Sequence, residues 1–208
     1  MGHARACRGV AAAVALTALA AVAAGCGGDR QDADEPSGHF RVQVTGARFP
    51  AQQSLSEEAQ LRIAVHNADR RSLPVVAVTV ETRPKGTTNP APEAFGAPNT
   101  GDTRLADDAR PVWILDKQPA DGETAYTNTW ALGTMSPGET KTFRWKLLPV
   151  KAGRYTVSWR VSPGLDGKAR AARGERVHGA FDVTIANKPV PARVDDNGNV
   201  VRGEQVAR

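Results

Sequence analysis

Thiols are nearly absent from this chain. Its two cysteines, Cys7 and Cys26, both lie near the start of a 208-residue sequence. The remainder therefore has no disulfide and no Cys-ligated metal, and a domain there must be stabilised by its own core. Methionine is equally scarce, with Met135 the one beyond Met1, and His39, His66 and His178 are far apart in sequence. Copper carriage favours Met and His clusters, and structural zinc wants its ligands at short spacing. No metal and no cofactor is expected. The nucleophile signatures G-x-S-x-G, S-x-x-K and H-E-x-x-H do not occur, and Asp107-Asp108 is a carboxylate pair in a polar loop. An enzyme is not expected. A hydrolase whose triad is assembled only in space is the last-ranked alternative.

Long apolar runs are missing too. The longest, residues 10–24, is Ala-rich, follows Arg5 and Arg8, and ends in Gly25-Cys26. It falls short of the roughly twenty residues of a membrane-spanning helix. A basic start, a short apolar stretch and small residues at its end are the parts of a secretory signal. Cys26 directly after Gly25 meets the need of lipoprotein processing, in which the thiol is alkylated by diacylglycerol before cleavage. Ala23 departs from the Leu commonest at that position. An ordinary cut after Ala21-Val22-Ala23, leaving a free thiol, is the alternative. The expectation is a lipoprotein signal peptide over 1–25, a lipidated Cys26, and an extracytoplasmic protein held to the cell membrane by that lipid. Residues 26–38 then form a flexible tether, since 27–38 (GGDRQDADEPSG) is polar and acidic.

A strong charge of one sign is also lacking. The formal +5 falls to +3 once Arg5 and Arg8 leave, with 25 basic against 22 acidic residues. No Lys/Arg stripe with stacking aromatics appears, which excludes nucleic acid as a partner. The densest basic stretch is 168–176, with Lys168, Arg170, Arg173 and Arg176. It fits a solvated hairpin face, and it also fits contact with anionic lipid or cell wall.

From His39 onward the pattern has period two. Phe40, Val42, Val44; Leu61, Ile63, Val65; Val76, Val78, Val80; Phe143, Trp145, Leu147; Tyr155, Val157, Trp159, Val161; and Phe181, Val183, Ile185 each alternate with polar or small neighbours. Val112 with Ile114, and Trp130 with Leu132, are less regular pieces. Successive strand side chains point to opposite faces, so each segment offers one face to a core and one to water. Residues 67–72, Ser136-Pro137-Gly138-Glu139, Lys151-Ala152-Gly153 and 163–167 supply turns. Residues 54–61 and 102–109 each have room for one helical turn, and no longer helix is expected. Seven to nine short strands with such turns imply a two-sheet sandwich over 39–187. Residues 188–208 form a loosely ordered tail. Within it Asp195-Asp196-Asn197-Gly198-Asn199 lacks the Gly and Glu positions of a calcium loop and fits a turn.

The candidate recognition surface lies near the long loop 83–110, rich in Pro, Gly, Asn and Thr. Loops beyond ~12–15 residues are often functional. Trp145 and Trp159 alternate in phase with apolar neighbours and belong to the core. Trp113 and Trp130 flank a polar segment that contains Tyr126. They fit core packing, and they also fit a groove in which aromatics stack on sugars or peptides. Core packing is the preferred reading of the two Trp, and Trp113, Tyr126 and Trp130 are the candidate partner-binding surface. Replacing 84–108 by a short Gly-Ser linker should cost only ~1–2 kcal/mol, since closure entropy varies slowly with loop length.

The segments Ser136-Pro137-Gly138-Glu139-Thr140, Phe143-Arg144-Trp145 and Ala152-Gly153-Arg154-Tyr155-Thr156-Val157 resemble a hairpin of bacterial immunoglobulin-like, adhesion-type domains. Leu61-Arg62-Ile63-Ala64-Val65-His66-Asn67 resembles their L-x-I-x-V-x-N strand, in which Asn ends the strand at a turn. With its leader, the chain resembles actinobacterial lipoproteins carrying one such domain. The resemblance covers about 39–186 and implies an all-β, immunoglobulin-like antiparallel sandwich. No functional residue carries over, because such domains serve as adhesion modules, spacers and binding platforms. The expected role is a non-catalytic module that binds a cell-envelope protein or glycan. A structural spacer or accessory subunit of an envelope complex is the second class.

Overall fold

A computed structural model describes residues 35–96, 111–120, 122–189, 192–194 and 200–202. The signal segment, Cys26, most of the tether, Asp107-Asp108 and the turn 195–199 lie outside these residues. Every regular element described is a strand. In chain order these are β1 (Gly38–Phe40), β2 (Val42–Arg48), β3 (Gln52–Leu55), β4 (Ala59–Asn67), β5 (Ala77–Pro84), β6 (Trp113–Lys117) and β7 (Glu123–Tyr126). They continue with β8 (Thr129–Ala131), β9 (Thr140–Pro149), β10 (Gly153–Ser162), β11 (Ala169–Ala171), β12 (His178–Pro189), β13 (Ala192–Val194) and β14 (Val200–Arg202).

Ten strands build two sheets, ordered β2-β4-β9-β6 and β3-β12-β10-β5-β8-β7. The first has the A-B-E-D order of an immunoglobulin sheet. The second contains the G-F-C order in β12-β10-β5. The sandwich is therefore immunoglobulin-like, with one departure. The chain passes from β5 to β6 in the other sheet before it returns for β7 and β8. Pairing is antiparallel except that β3 joins β12, and β1 joins β11, in parallel. β13 and β14 pair as an antiparallel hairpin.

The period-two segments explain the layers. Leu61, Ile63 and Val65 of β4, and Phe143, Trp145 and Leu147 of the adjacent β9, are fully buried on the inward face of the four-stranded sheet. Tyr155, Val157, Trp159 and Val161 of β10 bury from the other sheet, as do Val183 and Ile185 of β12. The expected strand number of seven to nine omits the short ones. β3 (QQSL) has no apolar alternation, and it forms because it adds to the free edge of β12 at Thr184 and Ile185. The helical turn expected in 54–61 does not form. Ser56 adopts a positive φ of 62° and reverses the chain between β3 and β4.

The long loop is partly core. Ala94 and Phe95 are buried, and Thr82 Oγ1 donates to the Ala94 carbonyl at 3.2 Å. Asn128, in left-handed conformation, accepts the Ala94 N–H through its side-chain oxygen at 2.6 Å. Gly96 then bridges Ile114 in parallel. Residues 84–96 are thus not a separable decoration. The linker replacement would remove the Phe95 ring from between Trp113 and Trp130 and costs more than ~1–2 kcal/mol, since large buried side chains cost ~3–5 kcal/mol to truncate.

Candidate functional site

The two candidate groove tryptophans are interior. Trp113 is fully buried, and its Nε1–H donates to Gln53 Oε1 at 2.7 Å. The rings of Phe49, Phe95 and Tyr155 surround it at centroid distances of 5.5, 6.5 and 5.6 Å. Trp130 lies directly opposite Val78 in the β5–β8 ladder and so shares its inward face. It packs edge-on against Trp145 at 5.5 Å. Neither offers a face to a partner. Of the three residues, Tyr126 on edge strand β7 alone is exposed, at 48%. The phase in β6 decides for core packing over the groove. Trp113 takes the inward position opposite Pro149, while Ile114 is half-buried.

Register brings together a different set of residues. The β10 ladders place Ser158 beside Glu81 and Ala180, and Arg160 beside Thr79 and His178. Their side chains alternate with the inward Val157, Trp159 and Val161, so they lie on the solvent face of the six-stranded sheet. There they line a trough of about 810 Å³. Small residues, Thr79, Ser158, Ser162 and Ala180, make its floor, while Glu81, Arg160 and His178 are exposed around it. Gly179 stands directly opposite Trp159 and shares its inward face. A Cβ on it would come within 2.5 Å of the Trp159 ring that lies beneath.

Further along the same face the charges are satisfied internally. Lys85 Nζ donates to Asp182 Oδ2 at 2.8 Å, and Thr156 Oγ1 donates to Asp182 Oδ1 at 3.0 Å. The Lys85 ammonium holds the Asp182 carboxyl below its usual range, with Thr156 helping. Glu81 and Arg160 have no such ion pair among the described residues. Beside that face, no described strand pairs with the outer edge of β12 before Thr184.

A second polar construction sits where the tether joins the sandwich. Glu35 is buried, and its carboxylate accepts three backbone N–H groups: Leu165 at 2.6 Å, Asp166 at 2.7 Å and Ala169 at 2.7 Å. Gly164 makes room for it, since a Cβ there would meet the Glu35 carboxyl at 2.4 Å. The seam continues as Gly38 N–H donates to Lys168 O, β1 pairs with β11, and Ala172 N–H donates to Phe40 O. Arg71 covers it, with its guanidinium 4.2 Å above the Phe40 ring and a hydrogen bond to His39 O. His39, His66 and His178 remain apart. Among the described residues no three His, Cys, Asp or Glu converge on a point.

No protein-family model matches the chain, and no curated protein matches it. Among solved structures it is similar to the CARDB domain of a Pyrococcus furiosus protein, in complex with di-metal ions. That match has 14% identity and a TM-score of 0.43, over 73% of this chain and 92% of that one. A cohesin module from a Clostridium perfringens family 33 glycoside hydrolase is similar at 6% identity and a TM-score of 0.40, over 70% and 97%. A β-glucosidase from Listeria innocua, in complex with glucose, is similar at 12% identity and a TM-score of 0.38. That match covers 73% of this chain and 16% of the enzyme.

Proposed function

We propose that the chain is a non-catalytic, extracytoplasmic interaction module, held to the membrane by lipid on Cys26, that takes a protein partner into the trough over β5, β10 and β12. The trough carries this reading. Small side chains leave a depression in the sheet face, and Glu81 and Arg160 stand beside it with no described ion pair. Fixed charges of both signs at a polar rim favour one partner and register over others. A protein fits better than a glycan. Sugars are gripped by stacking on exposed aromatic faces, and Trp113 and Trp130 are buried.

Reversing both charges, Glu81→Lys with Arg160→Glu, tests the site. Exposed substitutions of this kind alter stability by no more than ~0.5 kcal/mol. Proteins cross-linked to the anchored wild type in its own cells should be lost from the variant. If the same partners are captured by a folded variant, the spacer reading replaces this one.

The anchor is tested separately. Cys26→Ser should move the protein from the carbonate-washed membrane fraction to the soluble one, because only a thiol accepts the diacylglyceryl group at that step. A variant that stays on the washed membrane rules the lipoprotein reading out. A stable anchor needs more than one acyl chain, each buried CH₂ adding ~0.8 kcal/mol.

A further inference from the structure

The tether does not leave the sandwich at Val42. Glu35 lies nine positions beyond Cys26 in the sequence, and Val42 sixteen. At the extended limit of ~3.3–3.6 Å per residue, the Glu35 seam shortens the reach from about 55 Å to about 30 Å. It also fixes the end of the sandwich from which the chain departs. That end is built from the 38–41 segment, the 67–72 turn and the 163–176 segment, joined by the hydrogen bonds of Arg41, Phe40 and Gly38.

Its charges are unevenly paired. Each acid has a partner: Asp69 with Arg71, Asp166 with Lys168, Glu175 with Arg41, and Glu35 with backbone amides. Arg70, Arg170, Arg173 and Arg176 are exposed and make no ion pair among the described residues. Resting on the lipid-anchored reading above, we propose that this end docks on the surface of an anionic bilayer through these four arginines. Two features select that occupant. The anchor residue precedes Glu35 by only nine positions in the sequence, and the unpaired charge is complementary to anionic headgroups. Asp29, Asp32 and Asp34 oppose the attraction and Arg30 adds to it, so the contact depends on the arginines. Docking would hold the trough in a fixed attitude to the membrane, which a free sixteen-residue tether would not.

The test uses residues 27–208 without lipid, which keep every described strand. Vesicles of phosphatidylcholine alone, and of phosphatidylcholine with phosphatidylglycerol, are sedimented with the protein. Binding is expected on the anionic vesicles only, and it should fall as salt shortens the screening length. Each arginine near the surface is worth about fivefold in partition. Changing Arg70, Arg170, Arg173 and Arg176 together to Gln should therefore abolish binding while the denaturation midpoint holds.

Glu35→Ala should speed amide exchange in Gly38–Phe40 but not in β4, and on the lipidated protein it should restore tryptic cleavage at 168–176. Equal binding to both vesicles, or an unaffected quadruple variant, overturns the proposal. So does preference for a soluble anionic wall polymer over the vesicles. None of these results touches the Cys26→Ser fractionation or the trough cross-linking, so failure here is distinct from failure of the proposed function.

Discussion

Trp113→Ala should lower the free energy of unfolding by at least ~4 kcal/mol, which for a domain of ordinary stability is a large share of the total. Two losses combine. Truncating a fully buried Trp costs ~3–5 kcal/mol through lost burial and the cavity left behind. Phe49, Phe95 and Tyr155, each within 6.5 Å of it between ring centroids, come from three separate segments and cannot all close the gap. In addition Gln53 Oε1, in a buried side chain, loses the indole N–H that it accepts at 2.7 Å. A buried acceptor without a donor costs ~1–3 kcal/mol. Trp113→Phe separates the terms, since it keeps much of the fill and removes only the donor. Urea denaturation followed by circular dichroism measures both variants. An Ala variant with the wild-type midpoint and slope would place Trp113 on the surface and undo the sandwich described here. Because Phe95 would lose its edge contact, the same variant should also loosen the 84–96 segment, read as faster amide exchange at Gly96, whose N–H donates to Trp113 O.

The strands that make the two layers were legible because each carries its own face. Leu61-Ile63-Val65, Phe143-Trp145-Leu147 and the Tyr155 to Val161 series satisfy the period-two rule without help from any partner, and all are buried. What was not legible depends on partners far away in sequence. β3 has no apolar alternation, and its backbone is recruited by β12 more than a hundred residues later. Trp113 and Trp130 were legible as core, but their polar neighbourhood left a groove open as the alternative. Their fate is set by opposite-strand register, with Pro149 and with Val78. The trough is the extreme case. Thr79, Ser158, Ser162 and Ala180 are ordinary solvent-face residues one by one, and only the β5–β10–β12 register gathers them into a depression. Glu35 belongs to an acidic tether by composition. Nothing near it in sequence announces the amides of Leu165, Asp166 and Ala169 that hold it.

Asn67 was legible as a strand end, and the structure gives it a larger part. Its side chain is fully buried. Nδ2 stands 3.0 Å from the carbonyl oxygens of Arg71, Met135 and Ser136, so its two hydrogens are shared among three acceptors. Oδ1 accepts the Asp69 N–H at 2.9 Å, and the backbone exchanges bonds with Gly138 and Glu139. One amide thus stitches the turn after β4 to the turn before β9. Asp69 extends the stitch. The Arg71 guanidinium and the Arg41 N–H hold its carboxyl well below the usual carboxylate range.

Asn67→Ala leaves the Arg71 carbonyl and the Asp69 N–H without their partner at once, while Met135 O and Ser136 O keep the Leu73 and Glu139 N–H groups, and it should cost about 2–3 kcal/mol. Asn67→Asp discriminates the donor role from mere size. At neutral pH it sets a carboxylate oxygen against carbonyl lone pairs in a buried place, so it should be at least as damaging as Ala. Burial and those carbonyls both raise a carboxyl pKa. The folded Asp variant then binds a proton more tightly than the unfolded chain does, and its stability relative to the Ala variant should rise as pH falls. The protonated acid can donate one of the lost hydrogen bonds. Midpoints for the two variants, taken across acidic to neutral pH, measure this directly. If Ala lies within ~1 kcal/mol of wild type, or if the two variants track each other at every pH, the amide is a passenger at this corner and the two turns are held by their backbone bonds alone.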